Sequence, residues 1–582
     1  TTIIIDNGTM ENIYGGGYAG YILGNTKITI NNGKINENVY GGGYKGNVEK
    51  TTIIDFYNAS CQNIFGGGFE GDVENKTQII VNSGEIKEDI FGGGYKGLVN
   101  ESNLSFNGGT IKGNVYGGGY SNDVSSNVSI VVNDIAAQQN IYGGGYAGHV
   151  KGSTSIEFYK GTVLNNIYGG GFIGTANSTS IKLIEESDKY GTIKVHGCIF
   201  GGGYGLDATV YETTNVEVNL NLEQDVVEKS VDTDSLTESS SGESAVEVSF
   251  TLGYSFVDGS IYGGGDLGQI GEGLIDTSKN TATVTKSGRT KVVITNGYIG
   301  GSVFGGGSGI PKEGAYQLEM GTVYGSTQTI IFGGYIGKNV YGGGTQSRVY
   351  FSNLQDSSIE LATEVIIEEK DDLPIVINGS VFGGGDRGNS ATTNASVPTT
   401  VGDAKVTING NASGSSIYFI TGGVYGDGNL CLVNGTRTIE LNNFTTGQDN
   451  LKTFRSLQRA NLVKLNNSDI VLLGAVDLVE EGDNTVYSIN RIGSLVLENG
   501  STIKLDQIVK YLGQIESDYE FVSGDGTINR KFIDRGNNGT NGYVSAGETD
   551  PNPLTDNEIK SYQDGTGVST IKNVICVANG LY

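Results

Sequence analysis

A Val or Ile followed by an aromatic residue and then Gly-x-Gly occurs thirteen times along this chain, twelve of them with a glycine triplet. The first copy is Ile13-Tyr14-Gly15-Gly16-Gly17, and the aromatic recurs at Tyr40, Phe65, Phe91, Tyr116, Tyr142, Tyr168, Phe200, Tyr262, Phe304, Tyr341, Phe382 and Tyr425. The first seven aromatics are 25 or 26 residues apart. A fixed period of that size marks a solenoid, in which each repeat is one coil that cannot bury its apolar face alone.

One period reads as strands and turns. Thr26-Lys27-Ile28-Thr29-Ile30 alternates with period two, Asn31-Asn32-Gly33 is a turn signal, and Ile35 opens a second short strand. Asn38 takes a corner, Val39 and Tyr40 lead into the glycines, and Tyr44-x-Gly46-x-Val48 reads as a third short strand. No helical period is present. The pattern predicts an all-β chain, a right-handed parallel β-helix of about 26 residues per coil, with rungs ~4.8 Å apart. About 17 such coils make a rod roughly 80 Å long.

Stacking the repeats gives columns. The β-branched column, Ile13, Val39, Ile64, Ile90, Val115, Ile141, Ile167, Ile199, Ile261, Val303, Val340, Val381 and Val424, has no exception, as an interior row demands. The preceding column is Asn12, Asn38, Asn63, Asp89, Asn114, Asn140 and Asn166, then Cys198, Ser260, Ser302, Asn339 and Ser380, which reads as an imperfect amide ladder. Downstream of the glycines a second aromatic column runs Tyr18, Tyr44, Phe69, Tyr95, Tyr120, Tyr146, Phe172 and Tyr204, then gives way to Asp266, Ser308, Thr345, Asp386 and Asn429. The triplet is expected to supply dihedrals forbidden to other residues and close approach of backbone or ring, each ring lying over the glycines of an adjacent coil.

The regularity loosens after Tyr204. The extra length before Tyr262 predicts a β-hairpin arm over 219–250, from the alternating segments Asn215–Leu220 and Ala245–Phe250, with an acidic, mobile tip over 223–243. Smaller insertions are placed at Gly309–Gly325 and Asp356–Asp372. Residues 1–446 form the aromatic-glycine β-helix, 447–510 divergent coils with a short helix at Leu451–Val463, and 511–582 a cap or linker. Thr1 is already in repeat phase and no signal peptide precedes it, so the chain reads as a piece of something longer.

Composition narrows the chemistry. A net charge of −27 opposes nucleic acid binding and keeps a strand-rich rod soluble. The four cysteines, Cys61, Cys198, Cys431 and Cys576, follow no metal spacing and lie too many coils apart to pair. No apolar run is long enough to span a membrane. His149 and His196 are too few and too separate for a zinc site or a triad. Asp371-Asp372 is the only Asp-Asp pair, Gly263–Gly268 only faintly resembles a calcium nonapeptide, and Asp534–Gly539 lacks the Glu of an EF-hand loop. No catalytic residue, cofactor or metal is expected. The aromatic column from Tyr18 to Tyr204 is the candidate binding strip, since stacked Tyr and Phe suit sugar faces.

The Asn-Ile/Val-Tyr/Phe-Gly-Gly-Gly repeat, the Thr-x-Ile-x-Ile-x-x-Gly strand and the segment Ile492–Ser501 resemble secreted surface proteins of Gram-positive gut bacteria, pectin-lyase-like β-helix adhesins, over roughly residues 1–510. The resemblance implies a secreted, wall-attached stalk or adhesin that meets a host or microbial surface glycan or protein and is open to end-to-end or lateral self-association. The alternatives are a β-helix polysaccharide lyase or hydrolase and a phage tail-spike-like fibre.

Overall fold

A computed structural model describes residues 1–582 apart from 186–190, 223, 230–244, 251–254, 277, 280, 310–319, 355, 372, 387–397, 411–417, 430, 447–451, 455, 474–475, 479–489, 507–573 and 578–582. The chain is a parallel β-helix, and the second coil shows how it is made. The long strand Thr26–Ile30 is followed by a turn, the short strand Gly33–Ile35, a corner and the strand Asn38–Tyr40. Each segment pairs in parallel with its copy one coil on, as in Ile28↔Ile54, Lys34↔Ser60 and Val39↔Ile64. The expected second strand is therefore two strands split by a corner. The expected third strand is absent: of Tyr44–Val48 only Val48 bridges to its neighbours, Ile22 and Val73. Lys45 N–H bonds to Tyr18 O instead, in a stacked loop.

Alternation decides the interior. Thr26, Ile28 and Ile30 point inward and are fully buried, while Lys27 is exposed. The β-branched column is buried from Ile13 to Val424 and joins one continuous interior cluster. At the head of the long strand a buried hydroxyl spans the interior to the carbonyl of the first triplet glycine. Thr26, Thr52, Thr77, Ser102, Thr154, Thr179, Thr214, Thr290, Thr327 and Thr363 all make this bond, at 2.5–2.7 Å.

The triplet exists for the next coil. A Cβ on Gly41 would sit 2.3 Å from Gly66 O, and one on Gly42 would sit 2.7 Å from Gly68 N. The same clash recurs at Gly66, Gly143, Gly201, Gly263 and Gly305, each 2.2 Å from the following coil's carbonyl. None of the triplet glycines has a left-handed φ, so the dihedral half of the expectation is wrong. Left-handed backbone is needed at the turn after the long strand, as at Gly33 (φ 133) and Gly161 (φ 131). Asp427 agrees with the steric reading: it replaces the middle glycine in the aromatic-glycine rung whose successor, Leu457-Gln458-Arg459, has no glycine after the strand.

That successor is a fourteenth rung of the short sheet, with Val424↔Leu457 and Tyr425↔Gln458. It replaces the helix expected at Leu451–Val463: Leu457–Gln458 and Ala460–Asn466 are strands, and Val463 and Leu465 are buried at alternate positions. At ~4.8 Å per rung this sheet alone is about 60 Å long. Farther on, Ala460–Asn466 pairs with Asn490–Glu498, which pairs with Val574–Val577. The rest of 511–582 lies outside the described residues.

The insertions also shift. The arm is the antiparallel pair Gln224–Lys229 and Ala245–Phe250. Asn215–Leu220 is not its first strand, because Thr213–Asn219 pairs with Ala176–Ile184 and Gly288–Asn296 in the long face. The signal was present, since Thr214-x-Val216-x-Val218 repeats the coil's Thr-x-Ile-x-Ile, with both valines fully buried. Thr363–Glu368 likewise belongs to the long face, not to an insertion over Asp356–Asp372, and Val323–Ile331 takes the end of the one placed at Gly309–Gly325. A second hairpin, Glu272–Asp276 with Thr281–Lys286, is a further insertion that the repeat does not mark. The acidic tip lies outside the described residues, apart from Gln224–Lys229.

The glycine corner yields a direct contrast. Gly93→Ala, whose Cβ would be 2.7 Å from Gly119 Cα, is expected to cost at least about 2 kcal/mol of unfolding free energy. Gly20→Ala, with nothing within 4 Å, is expected to change it by less than about 0.5 kcal/mol. Urea unfolding of the two variants checks both; equal losses would refute the steric assignment.

Candidate functional site: a two-layer aromatic strip

The residue after each β-branched position points away from the interior, yet its ring is covered. Tyr40, Phe65, Phe91, Tyr116, Tyr142, Tyr168, Phe200, Tyr262, Phe304, Tyr341 and Phe382 form a second buried cluster, separate from the coil interior. Their rings, with Tyr14 and Tyr425 at the ends, stack on one another rather than over glycines, with centroids 4.6–4.9 Å apart and planes within 16°. Burial pushes the phenols of Tyr40, Tyr116, Tyr142, Tyr168, Tyr262 and Tyr341 well above the ordinary tyrosine range.

The eight candidate residues form the outer layer, and the fold brings all of them into one column. Tyr18, Tyr44, Phe69, Tyr95, Tyr120, Tyr146, Phe172 and Tyr204 stack at 4.8–5.1 Å. From Tyr44 on, each also meets the inner ring of the preceding coil edge-on at 5.5–5.8 Å, as Tyr120 meets Phe91. Seven of them are half-buried, while Tyr18, on the first rung, is 73% exposed. The ring faces are thus occupied by neighbouring rings, and the strip presents edges and hydroxyls to solvent. Along its flank Lys45 and Lys96 lie on either side of Glu70 and approach the rings of Tyr44, Phe69 and Tyr95 within 6 Å. Farther on the flank becomes apolar at Ile173 and Leu206, both exposed.

Beyond Tyr204 the outer positions turn polar while the inner column continues unchanged. Asn429 Nδ2 donates to Asp386 Oδ1 at 3.1 Å, and Thr345, Asp386 and Asn429 bridge coil to coil. Tyr341 and Phe382 remain as buried (1% and 6% exposed) as Tyr142 (2%). Burial of the inner rings therefore does not require aromatics outside them.

The column before the β-branched row is an imperfect amide ladder, as expected, with Asn63 Nδ2 donating to Asn38 and Asn140 Nδ2 to Asn114, but its acceptors continue past the last amide. From Asn63 on, the side chain accepts from the N–H of the next coil: Asn63 from Asp89, Asp89 from Asn114, Asn166 from Cys198, Ser260 from Ser302, Ser302 from Asn339, Asn339 from Ser380 and Ser380 from Gly423. Cys198 Sγ takes the same role toward Ser260 at 3.3 Å. The repeat conserves an acceptor near the backbone, and Asn, Asp, Ser and Cys each provide one.

The remaining candidates are dispersed. His149 Nδ1 accepts from Thr175 N–H at 3.1 Å, and His196 Nδ1 lies 2.8 Å from Asp258, each tied to the next coil. Cys61, Cys198 and Cys431 are free thiols. Among the described residues no three His, Cys, Asp or Glu side chains gather as a metal site, and no helix is long and apolar enough to cross a membrane. The segment Asp534–Gly539 lies outside the described residues. No protein-family model matches the chain, and neither the curated proteins nor the solved structures yield a match.

Two expectations follow. Burial raises the Asp89 carboxyl above the ordinary aspartate range, against the bonds from Asn114. A raised carboxyl favours folding below the unfolded value of ~3.9 and loses that contribution as pH climbs through the folded value. Asp89→Asn, which keeps the acceptor, should therefore raise the melting midpoint at pH 7 and leave it unchanged near pH 3. A lower midpoint at pH 7 would contradict the assignment. Tyr120→Ala, which unstacks Tyr95 and Tyr146 and uncovers Phe91, should lose about 2–3 kcal/mol in urea unfolding. Tyr18→Ala, with a single stacking partner, should lose under about 1 kcal/mol.

Proposed function

We propose that the chain is a non-catalytic rod of a secreted bacterial surface protein, whose outer aromatic strip is its contact surface for a glycan or protein on another cell. The observation that carries the reading is that the inner rings are covered even where the outer positions are not aromatic. The inner rings stay buried where the outer positions are Ser308, Thr345 and Asp386, so eight consecutive outer aromatics exceed the packing requirement. Stiffness supports the stalk part: ring stacks and side-chain ladders link each coil to the next without a gap from Tyr14 to Tyr425. The resemblance of the repeat to Gram-positive β-helix adhesins supports the location.

The geometry specifies the mode of contact. Sugars that stack need a free ring face, and the strip offers edges and hydroxyls except at Tyr18. A ligand lying along the strip would accept hydrogen bonds from the hydroxyls of Tyr44, Tyr95, Tyr120, Tyr146 and Tyr204 and meet the positive ring edges.

A glycan array probed with the full chain tests this, with small-angle scattering on the same sample to verify a rod. Binding lost in Tyr95→Phe and Tyr146→Phe, which keep the rings and remove only hydroxyls, is the expected result. Binding lost only in Tyr18→Ala would replace the edge mode with stacking at the rod end. No glycan binding, together with a trimer in light scattering, would favour a tail-spike-like fibre.

A further inference from the structure

One buried charge lies apart from the aromatic strip and, among the described residues, has no countercharge. Arg348 is 2% exposed, its Nη1 donates to the Tyr350 hydroxyl at 2.7 Å, and its Nη2 has no hydrogen-bond partner. Among the described residues no carboxylate pairs with it within 4.0 Å. Its column makes this conspicuous. The residue before the bridging Val is an acceptor for the next coil at several coils, Asn47 for Asp72 N–H, Asp72 for Leu98 N–H and Asp123 for His149 N–H, and is apolar at Leu98. At Arg348 the column holds a group that only donates.

The second hairpin packs over this place. Thr281–Lys286 lies against Val349–Phe351, and Gly273 is so close to Tyr324 that a Cβ would come within 2.5 Å of the ring. Tyr324 in turn stacks on Tyr350 at 6.0 Å. Burial pushes the Tyr350 phenol up despite the guanidinium beside it, so the phenol stays neutral and supplies no countercharge. A guanidinium does not deprotonate in a protein, and a buried cation without a countercharge is strongly destabilising. With Nη2 unpartnered and no countercharge among the described residues, the balancing charge is left to come from solution.

We propose that Arg348 Nη2, beneath the hairpin Glu272–Lys286, binds a small monovalent anion of chloride size. The hairpin closes over the pair and the anion locks it to the rod.

The full chain is melted in sodium chloride and in sodium gluconate, whose anion is too large to enter, at equal ionic strength. The midpoint should rise by about 1–2 °C for each tenfold increase in chloride above saturation, and not with gluconate. Arg348→Met should remove the chloride dependence. Should that variant fail to fold, crystals of the unaltered chain soaked in bromide give an independent answer. An anomalous peak within hydrogen-bond distance of Nη2 supports the site. A chloride-independent midpoint, or bromide found only elsewhere, would mean that water satisfies Nη2 and would overturn the proposal.

Discussion

Everything in this rod depends on how closely one coil can lie on the next at the glycine corner. There the chain turns with carbonyls directed at the following coil, and a single added methyl would come within 2.2–2.5 Å of a backbone oxygen at most triplets. Side-chain packing could be relaxed elsewhere, but backbone against backbone has no rotamer to change. The requirement fixes the rung spacing at the corner, and every other column inherits that spacing. Ring stacks near 4.8 Å, parallel strand pairing and the acceptor ladder are consequences of one coil-to-coil distance.

Once the spacing is set, side chains are selected by what they can do for the adjacent coil. The Thr hydroxyl meets a carbonyl that faces the interior and would otherwise be buried without a donor. The acceptor column succeeds with Asn, Asp, Ser or Cys because only an electron pair at short reach is needed. Asp427 shows the rule released: with no triplet above it, the middle position takes a carboxylate, which accepts from Gly428 and Val433 N–H and pairs with Arg437. Burial raises that carboxyl, and the Arg437 charge moderates the rise.

Much of this was legible as text because a solenoid repeats its constraints. The β-branched column identified the interior without exception, and the Thr-x-Ile-x-Ile strand identified the long face. The errors have physical causes. The rung at Leu457–Gln458 is hard to see in the sequence because Leu and Gln replace the β-branched and aromatic residues that mark every earlier rung. Asn215–Leu220 was given to the arm because alternation alone does not distinguish a coil strand from a hairpin strand; the buried Thr214 does. The orientation of the aromatics was illegible, since both layers flank the same glycines. Only coordinates reveal that Tyr40 lies under Phe69 and that the outer rings consume one another's faces. The strip is legible as a column, while the direction of its ring faces is not.

The difference between faces and edges governs what such a strip can recognise. A ring face attracts C–H surfaces and cations, whereas an edge is weakly positive and a phenol adds a directed donor. Eight stacked rings therefore form a donor row with a rung-spaced repeat, interrupted at Phe69 and Phe172 where the hydroxyl is missing. The interruptions divide the row into Tyr18–Tyr44, Tyr95–Tyr120–Tyr146 and Tyr204. A polymer with one acceptor per rung could be held at three successive points only over the middle segment. The alternating charges of Lys45, Glu70 and Lys96 border the strip up to the start of that segment, and the apolar Ile173 and Leu206 border its far side. Recognition by this surface would therefore be centred on Tyr120, with the inner ring of Phe91 edge-on beneath it.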